Sequence, residues 1–440
     1  MKNFKNEKIK NYFDMIKIQA QTFPKKQALI VDGISYTYEE LSNRVEKIRQ
    51  EQFLPGHSEK KQLYLIHEDN ILSQLLLFLA CQGTNYIPLI VPYDHEVEEF
   101  KNVDSAVPDN SIMAVCTSGS SGTPKILYRN LNSWYDFFSI QNEIFHINED
   151  TRMFVQGSLA FTGNLNLYMD VLSVGATLVA ENGFYPHKWE QVINAQGVNL
   201  IYLIPSKLML LPGIYHEPNF KVHTILAGSQ SLGQEDVGKL KKIFPNTKIV
   251  LYYGASELNY ITYVTDDQMG TQRNLIGKPF PGVEVYIKEE EMYVNTPYHV
   301  EGIEVPFSLK DSGYQDQEGN FYFLGRKDDI INIRGRKVSA LKIENAVAAS
   351  IEGIQEVAVA ALPQGEEQVL TAFVVFDEKY KEIYDTKTFE KSRPPKQIRE
   401  QLQKVLKTYE IPRYWITMAQ LPKTDSGKVN KKQLSRCISL

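Results

Sequence analysis

The chain is 440 residues long, 43% hydrophobic and 23% charged, which supplies a large buried core and excludes wholesale disorder. Forty-eight basic against 53 acidic residues leave a net charge of −5, with no global electrostatic footprint for nucleic acid. The three cysteines (Cys81, Cys116 and Cys437) stand far apart, which excludes a disulfide framework and a CxxC pair for zinc or redox chemistry.

The opening residues 1–14 carry both signs of charge and lack the apolar core of a signal peptide. The strongly apolar stretch at 75–81 is too short to span a bilayer, so a soluble, cytoplasmic protein is expected. Tyr38 to Leu41 opens a charged, leucine-bearing run with helical spacing to about Gln50, and Thr37 is placed to cap it. Residues 72–81 read as a buried helix ending at Gly83, and 86–91 and 111–116 as short apolar strands. Further strands are predicted at 177–180, 200–204, 224–226 and 248–252, with helical segments between most of them. This alternation predicts an α/β fold with mostly parallel sheets packed by helices in a large N-terminal domain. After Gly325 the texture changes: 357–361 and 369–376 flank a polar turn as paired strands, and a basic helix follows over 395–407. A boundary near Lys327-Asp328 gives an N-terminal domain over 1–327 and a small α+β C-terminal domain over 328–440.

A loop of Thr117, Ser118, Gly119, Ser120, Ser121, Gly122, Thr123, Pro124 and Lys125 directly follows the second of those early strands. Two glycines let backbone N–H groups approach an anion, the hydroxyls add adaptable donors, and Lys125 adds positive charge. The combination suits a triphosphate, although Ser/Gly composition alone also makes an ordinary connector. It is not a Walker A loop, because the glycine-to-lysine spacing is wrong and no Ser or Thr follows Lys125.

Three more segments stand downstream: Tyr252-Tyr-Gly-Ala-Ser-Glu257, the run from Gly325-Arg-Lys-Asp to Gly335, and Leu421-Pro-Lys-Thr-Asp-Ser-Gly-Lys428. Together with the loop, and in this order, they resemble the motifs of the adenylate-forming superfamily of acyl-CoA synthetases, aryl-acid ligases, peptide-synthetase adenylation domains and luciferases. Weaker similarities at 36–41, 277–282 and 406–412 extend the resemblance over almost the whole chain.

The resemblance implies an ATP- and Mg²⁺-dependent enzyme in which the loop from Thr117 to Lys125 holds phosphates. It places the Tyr253 ring against adenine, Ser256 on phosphate, and the Glu257 carboxylate on Mg²⁺, a hard cation that prefers oxygen. Gly228 and Ser229, in Ala227-Gly-Ser-Gln-Ser-Leu232, fall in the adenine and acyl-pocket segment, with one glycine where two are common. Asp311 takes the position that grips the ribose, although Leu309-Lys310 replaces the usual Thr-Gly before it. Arg326 would contact ribose or phosphate, and Asp328 would be the hinge about which a mobile C-terminal domain rotates between two half-reactions. Lys428 would be the catalytic lysine. Attack of a carboxylate on the α-phosphate joins two anions, and a cation that arrives only in the closed state stabilises that transition state selectively.

Phe161, Asn164 and Gly254 are the candidate acid-pocket residues. Peptide-synthetase relatives carry an aspartate for the substrate ammonium near Ser158 to Asn164, whereas here Phe161 and Thr162 stand there. The only carboxylate between Thr151 and Asp170 is Asp170 itself, and burying an unpaired ammonium costs several kcal/mol, so a free α-amino acid is disfavoured. The histidine that many acyl and aryl ligases carry nearby is also missing. The expected reaction is formation of an acyl-adenylate and pyrophosphate from a small acyl or aryl acid. Transfer follows to the phosphopantetheine thiol of CoA or of a carrier protein, as in loading for siderophore or peptide assembly. An amino-acid adenylating enzyme, a non-catalytic nucleotide binder and a luciferase-like oxygenase are the alternatives.

Overall fold

The computed structural model of the protein describes residues 9–54, 60–93, 95–101, 106–117, 125–270, 272–326, 330–333, 336–364, 367–377, 379–380, 391–423 and 429–436. They form a mixed α/β architecture in two compact units. One comprises Met1–Gln268, Pro279–Glu284 and Val294–Pro306, the other Met269–Lys278, Val285–Tyr293 and Phe307–Leu440. The expected division at Lys327-Asp328 falls within the second unit, beside residues 327–329, which lie outside the described residues.

Local chemistry sets the early helices of the first unit. Thr37 accepts from the Glu40 N–H while the Glu40 carboxylate accepts from the Thr37 N–H, a reciprocal cap that starts the helix Tyr38–Ile48. Asn70 caps the helix Ile71–Cys81, whose mostly apolar surface is buried nearly all round.

The strands of this unit, in chain order, are β1 (Gln27–Val31), β2 (Ile34–Thr37), β3 (Gln62–Ile66), β4 (Tyr86–Ile90), β5 (Met113–Thr117), β6 (Lys125–Arg129), β7 (Arg152–Gln156), β8 (Thr177–Glu181), β9 (Leu200–Tyr202), β10 (Thr224–Gly228), β11 (Lys248–Ala255) and β12 (Asn259–Thr265). One sheet runs β2-β1-β8-β7-β9-β10-β11-β12, parallel from β1 to β11 and antiparallel at both ends. Interior strands such as β8 and β10 are buried along their whole length, because both faces are covered. Strand β9 stops at Tyr202 rather than Ile204, since Pro205 begins the helix Pro205–Leu208 and pulls the preceding residues out of the ladder. The second sheet runs β3-β4-β5-β6, with β6 returning antiparallel over a core of Ile87, Leu89, Phe100 and Ala114.

The second unit contains β13 (Leu275–Pro279), β14 (Glu284–Lys288), β15 (Glu291–Asn295), β16 (Phe307–Gln315) and β17 (Phe321–Arg326), in the order β14-β15-β16-β17-β13. A hairpin of β18 (Ile330–Ile333) and β19 (Arg336–Ser339) follows. The remainder is α+β: β20 (Ile354–Gln364), β21 (Glu367–Phe376), β22 (Lys391–Ser392) and β23 (Tyr414–Thr417) form a sheet of order β20-β21-β23-β22. Helices Ala340–Ser350 and Lys396–Leu402 contribute Ile343, Val347, Ile398 and Leu402 to a core with Val359, Leu370, Val374 and Trp415. Among the described residues, no helix is long and apolar enough to cross a membrane.

Candidate active site

The phosphate-loop motif closes a hairpin. Thr117 ends β5 directly opposite Lys125, which starts β6, so the loop springs from the end of a two-strand ladder. Ser118, Gly119, Ser120, Ser121, Gly122 and Thr123 lie outside the described residues. Lys125 is exposed, and four residues on the same strand buries Arg129 completely.

The Tyr252 to Glu257 motif occupies the other principal turn of this unit, where β11 passes into β12. Gly254 is required there by close approach: a Cβ would lie 2.7 Å from the main-chain oxygen of Asn259. Asn259 itself adopts φ 66°, which tightens the reversal. The turn is held from outside. Thr162 Oγ1 lies 3.1 Å from Ser256 Oγ, and the Val300 N–H donates to the Glu257 carbonyl at 2.9 Å. Arg129 donates through Nη2 to the Ser256 carbonyl at 2.5 Å and through Nη1 to the Tyr298 carbonyl at 3.1 Å. Its guanidinium also stands 5.3 Å from the Trp134 ring, which helps a buried cation. Burial pushes Arg129 down to about 10, against the opposing pull of Tyr12 and Glu257, and at that value it stays charged at neutral pH.

Behind the turn, buried tyrosines of β9, β11 and β12 pack against one another. The Tyr202 and Tyr252 hydroxyls are 2.7 Å apart, and the Tyr252 ring packs edge-on to Tyr260 at 4.5 Å between centroids. Gly228, at the end of β10, would put a Cβ 2.4 Å from the Tyr252 ring, so only glycine lets that ring lie flat against the strand end. Ser229 follows in the left-handed region at φ 68°. Tyr253 is half-buried beside them. Of the proposed acid-pocket residues, Phe161 immediately precedes the helix Thr162–Ser173 and is partly exposed. Asn164 is buried and donates to the Ser158 carbonyl at 2.9 Å. Gly254 is on the exposed side of the turn. The near neighbours of this region include Lys207, whose Nζ donates to Gln156 Oε1 at 2.5 Å.

In the second unit, Asp311 on β16 and Arg326 on β17 are direct ladder partners. Asp311 is buried, and its Oδ1 accepts from Arg326 Nε at 3.2 Å, while the arginine remains half-exposed. Lys310 adopts φ 60°, the left-handed backbone that favours glycine, and its N–H is taken up by Ser308 Oγ at 2.9 Å. Asp328 and Lys428 lie outside the described residues, but the segment bearing Lys428 is bracketed by an antiparallel bridge between Lys423 and Val429. Lys423 is paired with Glu356 at 2.7 Å and Lys431 with Glu344 at 2.9 Å, so both act as structural charges of this unit.

Among the described residues, no group of three His, Cys, Asp or Glu side chains could hold a metal by itself. A single carboxylate at Glu257 beside the Ser256 hydroxyl instead suits Mg²⁺, which keeps waters and is held by one or two carboxylates together with substrate phosphates. Sequence reasoning missed Arg129 as a supporting group and did not assign Thr162 to Ser256. The available signal for the first was an arginine in the apolar stretch Lys125-Ile-Leu-Tyr-Arg129, four residues past the loop lysine.

Comparisons with known proteins bear on the family and the fold. The AMP-binding enzyme family model matches residues 90–303, and the AMP-binding enzyme C-terminal domain model matches residues 342–428. An uncharacterized acyl-CoA ligase, YhfT of Bacillus subtilis, is 25% identical over 75% of this chain and 69% of its own length. A 3,4-dihydroxybenzoate–[aryl-carrier protein] ligase of Bacillus anthracis is 25% identical over 85% of each chain. The structure of O-succinylbenzoate coenzyme A synthetase from Bacillus subtilis with ATP and magnesium ion has the same fold, with a TM-score of 0.78, 18% identity and coverage of 96% of this chain and 98% of that one. With both family models matched in order over more than half of the sequence, the chain belongs to the AMP-binding, adenylate-forming enzymes.

Proposed function

We propose that the protein is an ATP-dependent carboxylic acid–thiol ligase that forms an acyl-adenylate and then transfers the acyl group to a phosphopantetheine thiol. The observation that carries this reading is the Ser256–Glu257 turn, tied through Thr162, Arg129 and Val300 so that one hydroxyl and one carboxylate are presented from a fixed backbone. In the first half-reaction the acid's carboxylate oxygen attacks the α-phosphorus of ATP, and the bond to pyrophosphate breaks. In the second, a thiol sulfur bonds to the acyl carbon and AMP leaves. Ser256 would donate to a phosphate oxygen, and Glu257 would hold Mg²⁺, whose charge offsets that of the phosphates when bound. Asp311 would accept from the ribose hydroxyls with Arg326 beside it. Thr117 and Lys125 anchor the loop that receives phosphate. Residues 328–440 would act as the mobile part and bring Lys428 to the α-phosphate, with Asp328 as hinge.

The acid would be an acyl or aryl acid rather than a free α-amino acid. Among the described residues, the first turn of the helix Thr162–Ser173 carries no carboxylate. Asp170 is buried two turns on against Gln141, too committed to receive an ammonium. The acceptor would be CoA or a carrier protein, in keeping with the names of the two relatives.

Pyrophosphate release with hydroxylamine trapping, run on separate pools of aryl, fatty and amino acids, tests this. Release with the aryl or fatty pool supports the reading, release with amino acids alone overturns the substrate class, and silence from all pools with ATP still bound points to a non-catalytic nucleotide binder. Lys428→Ala is expected to slow adenylation by about 10²–10³-fold while sparing thiol transfer from a supplied adenylate, as for removal of one transition-state charge partner. An equal fall in both half-reactions refutes the role given to Lys428.

A further inference from the structure

We infer that Arg129 is a positioning residue that aims the Glu257 carboxylate at the nucleotide-bound cation, and thereby links the phosphate-loop hairpin to the metal-binding turn. The inference rests on the reading of Glu257 as a Mg²⁺ ligand. Its geometry is independent of that reading.

The direction in which a side chain leaves the backbone, its Cα–Cβ bond, is set by the two peptide planes that flank its Cα. At Glu257 both planes are tied down. The preceding one carries the Ser256 carbonyl, which accepts from Arg129 Nη2 at 2.5 Å. The following one carries the Glu257 carbonyl, which accepts from the Val300 N–H at 2.9 Å. Arg129 also grips the Tyr298 carbonyl at 3.1 Å, two residues before Val300, so one guanidinium fixes the turn and the segment that braces it. A planar fork with several donors spans two carbonyls from separate segments, and an ammonium does so poorly.

Burying a guanidinium completely is expensive, and a plain core position would be filled by an apolar side chain instead. Among the described residues, Arg129 forms no ion pair with a carboxylate; its acceptors are main-chain carbonyls, and one guanidinium nitrogen, Nε, has no hydrogen-bond partner. Arg129 is also the last residue of β6, whose first residue, Lys125, closes the phosphate loop opposite Thr117. One short strand therefore carries the loop at one end and the clamp on the metal-binding turn at the other.

The test uses the full chain carrying R129M or R129K, beside wild type. Calorimetry of ATP binding with and without Mg²⁺ needs no knowledge of the acid. Metal-free ATP affinity is expected to stay within about twofold of wild type, while the gain in affinity from Mg²⁺ falls about 10- to 100-fold in R129M, as for other residues that orient a metal ligand. R129K, which keeps the charge but reaches one carbonyl, is expected to lie between the two. Adenylation followed over a Mg²⁺ series should show the half-saturating concentration rising in the same order, with a smaller change in thiol transfer from a supplied adenylate. A wild-type gain from Mg²⁺ in a folded variant with a lowered Tm would overturn the inference and leave Arg129 as core packing. So would an equal loss of metal-free and metal-dependent binding. If R129M does not fold, R129K decides by the same criterion. A wild-type protein that binds ATP with no gain from Mg²⁺ overturns the inference together with the metal role of Glu257. A Mg²⁺ gain in the absence of any acid turnover strikes only at the proposed reaction.

Discussion

Asp311 and Arg326 lie fifteen residues apart and meet because two neighbouring strands place them in register. Ser256 and Glu257 lie on a turn whose supports, Thr162 and Arg129, are 94 and 127 residues away from Ser256. The first pair is made by local chain geometry and could form in a hairpin. The second exists only once the two sheets of the larger unit have assembled. A motif residue can therefore be conspicuous in sequence while what aims it is scattered. The turn should be the more sensitive of the two regions to changes that leave its own letters intact.

The largest effect expected is at the turn itself. Glu257→Gln keeps size and hydrogen-bonding capacity but removes the charge, and adenylation should slow by about 10²–10³-fold, measured as pyrophosphate release at saturating ATP and Mg²⁺. A change within about threefold would break the comparison, because the turn would then be a structural reversal and no more. At the ladder pair, Asp311→Asn should raise KM for ATP by about 10- to 100-fold with a smaller change in kcat, the signature of lost ground-state binding to the ribose. If kcat falls as far as it does for Glu257→Gln, the two regions act in the same step and the contrast between them disappears.

The legibility of the sequence follows the same division. The helix Tyr38–Ile48, with Thr37 as its cap, and the helix Ile71–Cys81 were readable because caps and apolar periodicity are local signals. The antiparallel pairing of β20 and β21 was readable from two apolar runs about a polar turn. The α/β class followed from alternation, and the order of motifs gave the family. The grip of Arg129 on Ser256 and Tyr298 was not readable, because an arginine near the end of a strand gives no sign of which carbonyls it will meet 127 residues or more further on. The second unit was also hidden in part: it draws in 269–278 and 285–293 from upstream of Phe307, and strand pairing across such distances is set by tertiary packing rather than by local pattern.

Asp170 tests how far the support of the turn extends along its helix. It lies on the same helix as Thr162, fully buried, with its carboxylate bonded to Gln141, and desolvation pushes its pKa well above the usual carboxylate range. The folded protein then holds a proton that the unfolded chain releases near pH 4, so stability falls as pH rises from there toward the folded-state pKa. Asp170→Asn removes the proton linkage. Its stability relative to wild type should grow with pH, by no more than about 1.4 kcal/mol per pH unit, while activity per folded molecule stays at the wild-type level. Parallel stability curves for the two proteins between pH 5 and 8, from chemical unfolding, would show that Asp170 is ionised in the fold and that this helix tolerates a buried charge.

The smallest effect expected belongs to the ladder region and concerns the residue before Asp311. Lys310 is exposed and left-handed at φ 60°, and Ser308 Oγ holds its N–H at 2.9 Å. A side chain in that conformation costs roughly 1–2 kcal/mol, and glycine avoids the cost at an entropic penalty of about 0.5–1 kcal/mol. Lys310→Gly should therefore stabilise the protein by about 0.5 kcal/mol in urea unfolding, with KM for ATP unchanged if the strand register alone places Asp311. A stabilised protein with altered KM would mean that the strained backbone at Lys310, and not the ladder, sets the reach of the Asp311 carboxylate. A destabilised one would mean that the Ser308 bond had already relieved the strain. In the first case the ladder region, like the turn, would depend on more than its own register.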